Sequence, residues 1–477
     1  MPVVLESNRI LLVTFLHLRT FRKFCTKPKL SAILEKQVQE SIENKDFTAK
    51  RHPGILKHGV VHVPQYVQKA IQVVLRDKPV KAILEEGKSL ARYLHGRHPP
   101  PEEHEVKAKK AQLEEMVELE MGVDLSSLGV EEREVVQKRK QHLVMKKLRQ
   151  HIHRWRPVPY DTRHKVLVYL LCRAAADHAA VSKVLAEVKH RQPLFSPATV
   201  FDFGSGVGTT TWAVRELWQD APKEYFCVDS SVEMNDLASL LLRDGQETKE
   251  MPFKGVFYRQ FLPASSVRQY DLVVSAFSLL ELPSSQSRLQ TILSLWKKTQ
   301  KFLVLVEQGT NAGFKVINEA RDFLISTSNR ENTSTGPAHV FSPCPHDLEC
   351  PRFLDSRIPC NFEVSYETLP FGQRPKILQE RYSYVVMSKG QRPSEDPQWP
   401  RLVSPTLVRH KHSICRMCTA NGELREIIFT ASKHGRIPYR CARASKWGDL
   451  LPVQIKPPEN PAQSDEEELA RETDQPS

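Results

Sequence analysis

Residues 198–214 read ATVFDFGSGVGTTTWAV, and this stretch decides the fold. A short apolar run ends at Asp202, and Gly204, Gly206 and Gly208 follow at every second position before a helix begins. Glycine lets the backbone turn sharply and pass close to a bound nucleotide-like ligand. The spacing G-x-G-x-G differs from the G-x-G-x-x-G of dinucleotide-binding turns. It therefore favours S-adenosylmethionine over NAD.

A second apolar run, residues 224–228, ends at Asp229. A carboxylate at the end of the second strand can accept hydrogen bonds from the two ribose hydroxyls of the ligand. Alternatively, the glycines form an ordinary strand-to-helix loop and Asp229 caps the following helix. Because the glycine turn, the helix and the acidic residue occur in order, we predict a cofactor site at Asp202, Gly204, Gly206, Gly208 and Asp229.

Apolar runs and helical segments alternate along the rest of this region. Strands are predicted at 256–258, 272–277 and 302–306, with a late strand at 382–387. Helices are predicted at 232–242 and 287–300, and two more helices over 163–190. Strands that alternate with helices predict an α/β fold with a doubly wound, Rossmann-like parallel sheet.

The fourth predicted strand runs into the segment SAFSLLELP, residues 275–283. Enzymes that methylate base nitrogens commonly place an acidic, Asn or Ser residue here before Pro-Pro and an aromatic, which grips the amine and stacks on the flipped base. That pattern is absent. Glu281 and Glu307 lie at strand ends and are conceivable bases, although such carboxylates more often bind loops. We therefore predict no catalytic residue.

Charge separates the body of the chain from its end. The net charge is +13, and the tail from residue 459 holds seven acids and one arginine, which leaves +19 on the remainder. This excess indicates a polyanionic partner, for which we favour RNA over a membrane surface. The chain contains no run that is long and apolar enough to cross a bilayer. Nine cysteines, odd in number and not dense, favour a reducing compartment over a disulfide framework.

The first 32 residues contain one acid, Glu6, and six lysines or arginines, interleaved with apolar side chains. This composition predicts a mitochondrial transit peptide over residues 1–32, the alternative being a basic terminus without that role. Residues 33–156 are predicted to be helical and basic. Within them, residues 131–156 carry nine lysines or arginines and three acids, so this helix is either a solvated surface or a phosphate-contacting one.

Cysteines cluster late in the chain, at Cys344, Cys350, Cys360, Cys415 and Cys418. Thiolates that converge from such positions can hold an iron–sulfur cluster or a zinc ion, and the remaining alternative is unliganded cysteines. Spacing alone leaves the metal open. Cys344 could also serve as the nucleophile of a cytosine C5 methyltransferase, but no partner at recognisable spacing supports that role.

Residues 433–447 combine basic and aromatic side chains without an acid. Guanidinium groups pair with phosphates and aromatic faces stack on exposed bases, so this is the best RNA-contact segment in the chain. The alternative is a basic loop in which Trp447 fills the core. The acidic, polar tail over 458–477 is predicted to be disordered.

Four features together resemble one known family over about residues 157–452. They are DFGSGVGT at 202–209, CPHD at 344–347, Cys418 four residues before Gly422, and KWGDLLP at 446–452. This combination is similar to the mitochondrial ribosomal small-subunit methyltransferase-like family. The resemblance implies a factor of the mitochondrial matrix that assembles the small ribosomal subunit and binds its rRNA, as a monomer on the ribosome.

The resemblance also implies a cofactor and site residues. It places a four-iron four-sulfur (4Fe–4S) cluster on Cys344, Cys350, Cys360 and Cys418, with Cys415 in reserve. It implies a methyltransferase-like domain at 157–340 and a cysteine-rich, metal-binding and RNA-contacting segment at 341–457 that includes late strands. S-adenosyl-L-methionine would bind while methyl transfer is largely lost. The alternatives are an active rRNA methyltransferase that uses S-adenosylmethionine, and an RNA-binding module that carries zinc.

Overall fold

The computed structural model describes residues 31–56, 59–123, 129–152, 155–263, 268–328, 336–354 and 358–456. The predicted transit peptide lies outside the described residues except for residues 31 and 32, and the predicted disordered tail lies wholly outside them. The chain divides into two units. One is Ile33–Gln454, and the other comprises the chain ends, Met1–Ala32 and Ile455–Ser477.

The elements follow in chain order. The strands are β1 (Ser31–Leu34), β2 (Thr199–Phe203), β3 (Glu224–Val228), β4 (Val256–Arg259), β5 (Tyr270–Ala276), β6 (Thr299–Gln308), β7 (Ala338–Ser342), β8 (Phe362–Glu367), β9 (Ile377–Lys389), β10 (Arg401–Leu402), β11 (Leu407–Val408), β12 (His412–Cys418), β13 (Leu424–Thr430) and β14 (Val453–Lys456). The helices are α1 (Lys36–Glu43), α2 (Gln65–Val74), α3 (Val80–His95), α4 (Glu103–Met121), α5 (Val130–His151), α6 (Arg163–Arg191), α7 (Thr209–Trp218), α8 (Val232–Leu242), α9 (Ser285–Lys298), α10 (Asn311–Ser328), α11 (Pro351–Leu354), α12 (Ala431–His434) and α13 (Arg436–Ala444). Short 3₁₀ turns occur at Ala49–Arg51 and Leu279–Glu281.

The main sheet has eight strands in the order β4-β3-β2-β5-β6-β9-β7, with β8 paired to β9. Strands β2 to β6 are mutually parallel, as predicted. The sheet differs from the predicted parallel sheet in being mixed, because β9 runs antiparallel to β6, β7 and β8. A parallel neighbour needs a crossover connection, usually a helix, and no helix separates β8 from β9 in the described residues. The result is a Rossmann-like α/β fold with a mixed sheet.

Neighbouring residues along the strands point to opposite faces of this sheet, and each face has its own core. Val200 and Val274 join the core that contains helices α6, α7 and α8. Phe201 and Val273 join the core that contains α9 and α10. Helices therefore cover both faces, as the doubly wound prediction requires.

Helix α6 differs from the prediction, which divided this stretch into two helices. It is one helix of 29 residues, Arg163–Arg191, and it packs against α3, α7 and β8. The stretch contains no glycine or proline that would interrupt it. Small residues such as Ala174 and Ala179 are fully buried, which allows close packing on several sides. In contrast, β3 and α8 begin and end where the pattern predicted.

Two smaller assemblies complete the fold. Helices α4 and α5 pack against each other around Leu113, Val117, Val144 and Leu148. Strands β10, β11 and β13 all pair with the central strand β12 in a separate antiparallel sheet, and β1 pairs with β14. None of the helices in the described ranges is long and apolar enough to cross a membrane.

Candidate cofactor crevice and cysteine site

The glycine turn lies between the carboxyl ends of β2 and β5, where the sheet's connections depart in opposite directions. Ligands of open α/β sheets bind at this kind of switch point. Gly204, Gly206 and Gly208 have φ angles of 72°, 50° and 93°, a region that side chains disfavour. These backbone conformations therefore favour glycine at all three predicted positions.

The glycines have different surroundings. A Cβ atom on Gly204 would lie 2.4 Å from the Cβ of Ser278, so the turn packs tightly against the residue that follows β5. A Cβ on Gly206 would meet nothing within 4 Å. Gly206 therefore faces open space, and a ligand can approach its backbone.

Asp229 connects the glycine turn to the end of β3. Its Oδ2 accepts a hydrogen bond from the Gly206 amide at 2.9 Å, and its Oδ1 accepts one from the Ser231 amide at 2.9 Å. Burial raises the pKa of Asp229, and the two amides oppose that rise. Helix α8 is capped by the side chain of Ser231, which accepts from the Met234 amide. The alternative, in which Asp229 caps α8, is therefore wrong, because Ser231 is the capping residue.

Asp202 lies beneath the turn and is 2% exposed. Its Oδ1 accepts a hydrogen bond from the Thr210 hydroxyl at 3.2 Å, and its Oδ2 is buried with no partner among the described residues. Burial raises the pKa of Asp202 to about 7. Its position indicates a role in holding the turn.

A cavity of about 350 Å³ opens beside the turn, within the size range of small-molecule sites. Of the predicted cofactor residues, Gly204, Gly206 and Asp229 line it, whereas Asp202 and Gly208 do not. Its polar lining also includes Ser230, Gln260, Tyr160, Tyr169, Asp177 and Glu307. Three of the five predicted cofactor residues therefore line one cavity, and the other two do not contribute to its lining.

A contact that was not predicted joins the N-terminal region to the turn that follows β5. The buried guanidinium of Arg97 forms an ion pair with Glu281 and donates to the Arg156 carbonyl at 3.1 Å. The Trp155 indole donates to the Leu280 carbonyl at 3.0 Å. We call this set of contacts the β5 clasp. No local pattern identifies it, because Arg97 and Glu281 are 184 residues apart.

Both carboxylates that we considered as bases bind backbone or cation partners. Glu307 accepts from the amides of Leu279 at 2.8 Å and Leu280 at 3.3 Å, and burial raises its pKa to about 7. Glu281 pairs with Arg97 and accepts from the Val158 amide at 3.3 Å. These two carboxylates hold the turn that follows β5 in place.

The four cysteines predicted as cluster ligands come from three separate segments. Cys344 and Cys350 follow β7, Cys360 precedes β8, and Cys418 ends β12. Burial, with a smaller contribution from Cys344, raises the pKa of the Cys350 thiol to about 11. Burial also raises the pKa of Cys360 and of Cys418; Cys344 and Cys350 add to both rises, and Cys360 adds to that of Cys418. The four thiols therefore interact electrostatically with one another.

Cys415 behaves differently from this set. Its Sγ faces the Ala442 carbonyl at 3.8 Å, and burial raises its pKa to about 12 without a contribution from another thiol. In the part of the chain that the structure describes, no group of three or more His, Cys, Asp or Glu residues is arranged to hold a single metal ion. Cys344, which was considered as a methyltransferase nucleophile, does not line the cavity beside the glycine turn.

Two buried arginines lie beside the thiols. Arg321 donates a hydrogen bond to the His346 carbonyl at 3.2 Å. Burial alone would lower the pKa of Arg321, but Cys344 and the other acidic neighbours outweigh it, so the pKa is raised. Arg401 donates to the carbonyls of Pro343 at 2.9 Å and Gly448 at 2.7 Å, and it also pairs with Glu187 of α6. Arg401 thereby joins the cysteine segment, the C-terminal segment and the main helical layer.

The charged side chains of the basic C-terminal segment, residues 433–447, are exposed to solvent. Its exposed lysines and arginines are Lys433, Arg436, Arg440, Arg443 and Lys446. Trp447 packs partly buried against the main core, with the Arg381 guanidinium 5.6 Å from its ring centre. For Trp447 the structure favours the packing alternative, whereas the cations remain accessible.

Comparisons with known proteins agree with these features. The family model described as mitochondrial small ribosomal subunit Rsm22 matches residues 163–452. The Homo sapiens protein named ribosome assembly protein METTL17, mitochondrial, is 40% identical over 417 residues, which cover 86% of this chain and 88% of that protein. The Rsm22-cox11 tandem protein 2, mitochondrial, of Schizosaccharomyces pombe is 32% identical over 338 residues, which cover 62% of this chain and 44% of that protein.

Among solved structures, the magnesium protoporphyrin IX methyltransferase of Synechocystis PCC 6803 is 13% identical, with 49% of this chain and 86% of that chain covered. Its TM-score of 0.29 is too low to support any functional statement. The human and yeast relatives are both named as mitochondrial proteins, which confirms the expected location. The chain belongs to the mitochondrial small ribosomal subunit Rsm22 family.

Proposed function

We propose that this protein is an assembly factor of the mitochondrial small ribosomal subunit that binds its rRNA in the matrix. Its methyltransferase fold would bind S-adenosylmethionine without transferring the methyl group. The human relative carries ribosome assembly in its name. The observation that carries the proposal is the β5 clasp, because Arg97, Leu280 and Glu281 line the cavity and the clasp engages the polar groups that a methyl acceptor would meet there.

An enzyme that methylates a base must present the acceptor atom at the carboxyl end of the fourth strand, beside the methyl group. At that point the Leu280 carbonyl is bound by Trp155, and the Glu281 carboxylate is bound by Arg97. Glu307 is bound by two backbone amides. These three groups, each of which could grip an amine, are therefore already engaged within the protein.

The cofactor part of the proposal rests on the glycine turn. Open space in front of Gly206 and the cavity beside it leave room for the ligand. Asp229, which lines that cavity, would accept hydrogen bonds from the ribose hydroxyls with the lone pairs that the two amides leave. The bound cofactor would supply an activated methyl group.

Two assays on purified protein test this part. Calorimetry measures S-adenosylmethionine binding, and transfer of a radiolabelled methyl group to small-subunit rRNA measures catalysis. We expect binding without transfer for the wild type, and no binding for Gly206→Leu, whose side chain fills the ligand's space. Gly122→Leu is the matched control, since Gly122 has a similar φ of 55° and equally open surroundings outside the cavity. Repeated turnover by the wild type would refute the inactive state.

The iron–sulfur part rests on four thiols that interact electrostatically, which adds to the raised pKa values of Cys350, Cys360 and Cys418. Cys344, Cys350, Cys360 and Cys418 would hold the 4Fe–4S cluster, for which four cysteine thiolates are the usual ligands. Arg321 and Arg401 would balance the negative charge of the site. A cluster in this position would join segments beside β7, β8 and β12, so it would contribute to the stability of the C-terminal surface.

Matched serine variants test the cluster. Cys418→Ser should lose iron and the visible absorption of anaerobically purified protein, whereas Cys415→Ser, which changes a buried cysteine of the same strand, should keep both. Cys418→Ser should also bind small-subunit rRNA more weakly. If the wild type contained zinc and no iron, the zinc alternative would be correct. Normal rRNA binding by a metal-free variant would contradict the coupling.

The RNA-binding part rests on the exposed cations of the C-terminal segment, which can pair with phosphates. Changing Arg436, Arg440 and Lys446 to glutamine should weaken binding to small-subunit rRNA, measured by fluorescence anisotropy. Unchanged affinity would remove this segment from the RNA-binding surface. The second candidate, an active rRNA methyltransferase, is favoured only by the open glycine turn, and the methyl-transfer assay separates it from the assembly factor.

A further inference from the structure

Helices α4 and α5 form an antiparallel hairpin, which we call the arm. The arm has its own small core, in which Leu113 and Val117 of α4 pack against Val144 and Leu148 of α5. Its base is fixed to the methyltransferase domain. The Glu102 carboxylate accepts from the Ser285 amide at 2.7 Å at the start of α9. The arm is therefore a self-packed element held to the fold at one end.

Acidic side chains of α4 neutralise only part of the charge on α5. Lys140 pairs with Glu118 at 2.6 Å, and Lys147 pairs with Glu120 at 2.6 Å. These contacts link the two helices beside their shared core. They leave the α5 cations on the opposite side without acids from α4.

The outer side of α5 carries the residues Arg139, His142, Lys146 and Arg149, at intervals of three and four positions. Such spacing places all four on one helix face, and all four are exposed. Within the described ranges, Arg139, Lys146 and Arg149 form no ion pair. The first and last of the three cations are ten positions apart, which is about 15 Å along the helix axis. We call this row of three the α5 stripe.

We propose that the α5 stripe is a second RNA-contact surface, which binds the phosphate backbone of small-subunit rRNA. This inference rests on the proposed function. The exposed positions between the cations hold no Phe, Tyr or Trp on which a base could stack. Contacts from lysine and arginine to phosphates position a protein without reading sequence. Because the arm is anchored at its base, it would hold a second RNA segment in a fixed relation to the C-terminal surface.

Charge-matched triple variants of the full chain test this surface. One variant replaces Arg139, Lys146 and Arg149 by glutamine. The control replaces Lys107, Lys109 and Lys110 of α4, which already have partners on their own helix: Glu103, Gln112 and Glu114. Both variants lose three positive charges. Circular dichroism checks that each keeps its helix content.

The probe is a transcribed fragment set of mitochondrial small-subunit rRNA, and affinity is measured over a range of salt concentrations. Each lost phosphate contact lowers the salt slope by about 0.7 for single strands, so the α5-stripe variant should lose about 2 from the slope. At 0.15 M salt the same contacts correspond to about 50-fold weaker binding. The α4 control should stay within about threefold of the wild type.

The outcomes separate this inference from the proposed function. If the α5-stripe variant binds like the α4 control while the C-terminal variant binds weakly, the α5 stripe does not contact RNA and the proposed function stands. If the wild type binds no small-subunit rRNA, the proposed function fails and this inference with it. If the α5-stripe variant binds rRNA normally but loses a small-subunit protein, the surface recognises protein and the RNA assignment is wrong.

Discussion

Replacing Gly204 by alanine should destabilise the protein much more than the same change at Gly206. Both glycines have positive φ angles, so an alanine at either position costs about 1–2 kcal/mol of backbone energy. At Gly204 the new Cβ would also lie 2.4 Å from the Ser278 Cβ and 2.7 Å from its Oγ. Forcing atoms apart in a packed interior costs a further amount of about 1–3 kcal/mol. We therefore expect a loss of about 2–5 kcal/mol for Gly204→Ala and about 1–2 kcal/mol for Gly206→Ala.

Equilibrium unfolding in urea, followed by circular dichroism, measures these differences. A second change isolates the steric part, because Ser278→Gly removes both atoms that the new Cβ would meet. Combined with Gly204→Ala, it should recover about 1–3 kcal/mol relative to the sum of the single changes. Ser278→Gly also removes a hydrogen bond to the Phe203 carbonyl, so the single variant is measured too. Equal stability losses at Gly204 and Gly206, with no coupling to Ser278, would refute the proposed packing of the turn.

Two further predictions concern buried charge. Burial raises the pKa of Asp202 to about 7, so between pH 4 and pH 7 the folded protein binds a proton that the unfolded chain has released. In the wild type, the Asp202 carboxyl should therefore lower the free energy of unfolding by up to about 4 kcal/mol over this range. Asp202→Asn should lack this contribution, and parallel pH profiles of the two proteins in urea unfolding would contradict the prediction. Arg401→Met should cost about 3–5 kcal/mol, because it leaves the Glu187 carboxylate buried without its main partner. Adding Glu187→Gln should restore part of that loss, and strictly additive losses in urea unfolding would disprove the pairing.

Much of the main sheet and of the helices that cover it could be predicted from local sequence pattern. Strand β3 and helix α8 have the predicted bounds, because apolar runs and caps define them locally. The strand β9 was predicted, but its antiparallel direction was not, because the direction of a strand depends on the connection that precedes it. The division of α6 into two helices was wrong, because a polar interruption in the pattern, such as Asp177, can be buried by pairing with Arg173.

The sites divide in the same way. The glycine turn has a local signature, and the structure brings Gly204, Gly206 and Asp229 to the cavity. The β5 clasp and the Arg401–Glu187 pair join residues that are 184 and 214 positions apart, and no pattern within a window of sequence reports such contacts. For the cysteines, spacing left several ligand sets open, and only the family resemblance selected four of them.

Complementation of cells that lack this protein tests the central claim most directly. The wild type, Gly206→Leu and the matched control Gly122→Leu would each be expressed at equal levels, and small-subunit assembly and small-subunit rRNA methylation would be measured together. The proposed function predicts that Gly206→Leu restores assembly and that no methyl group is missing. Failure of Gly206→Leu to restore assembly, with one specific methyl group absent while the variant remains folded and bound to the subunit, would show that the protein is an active methyltransferase.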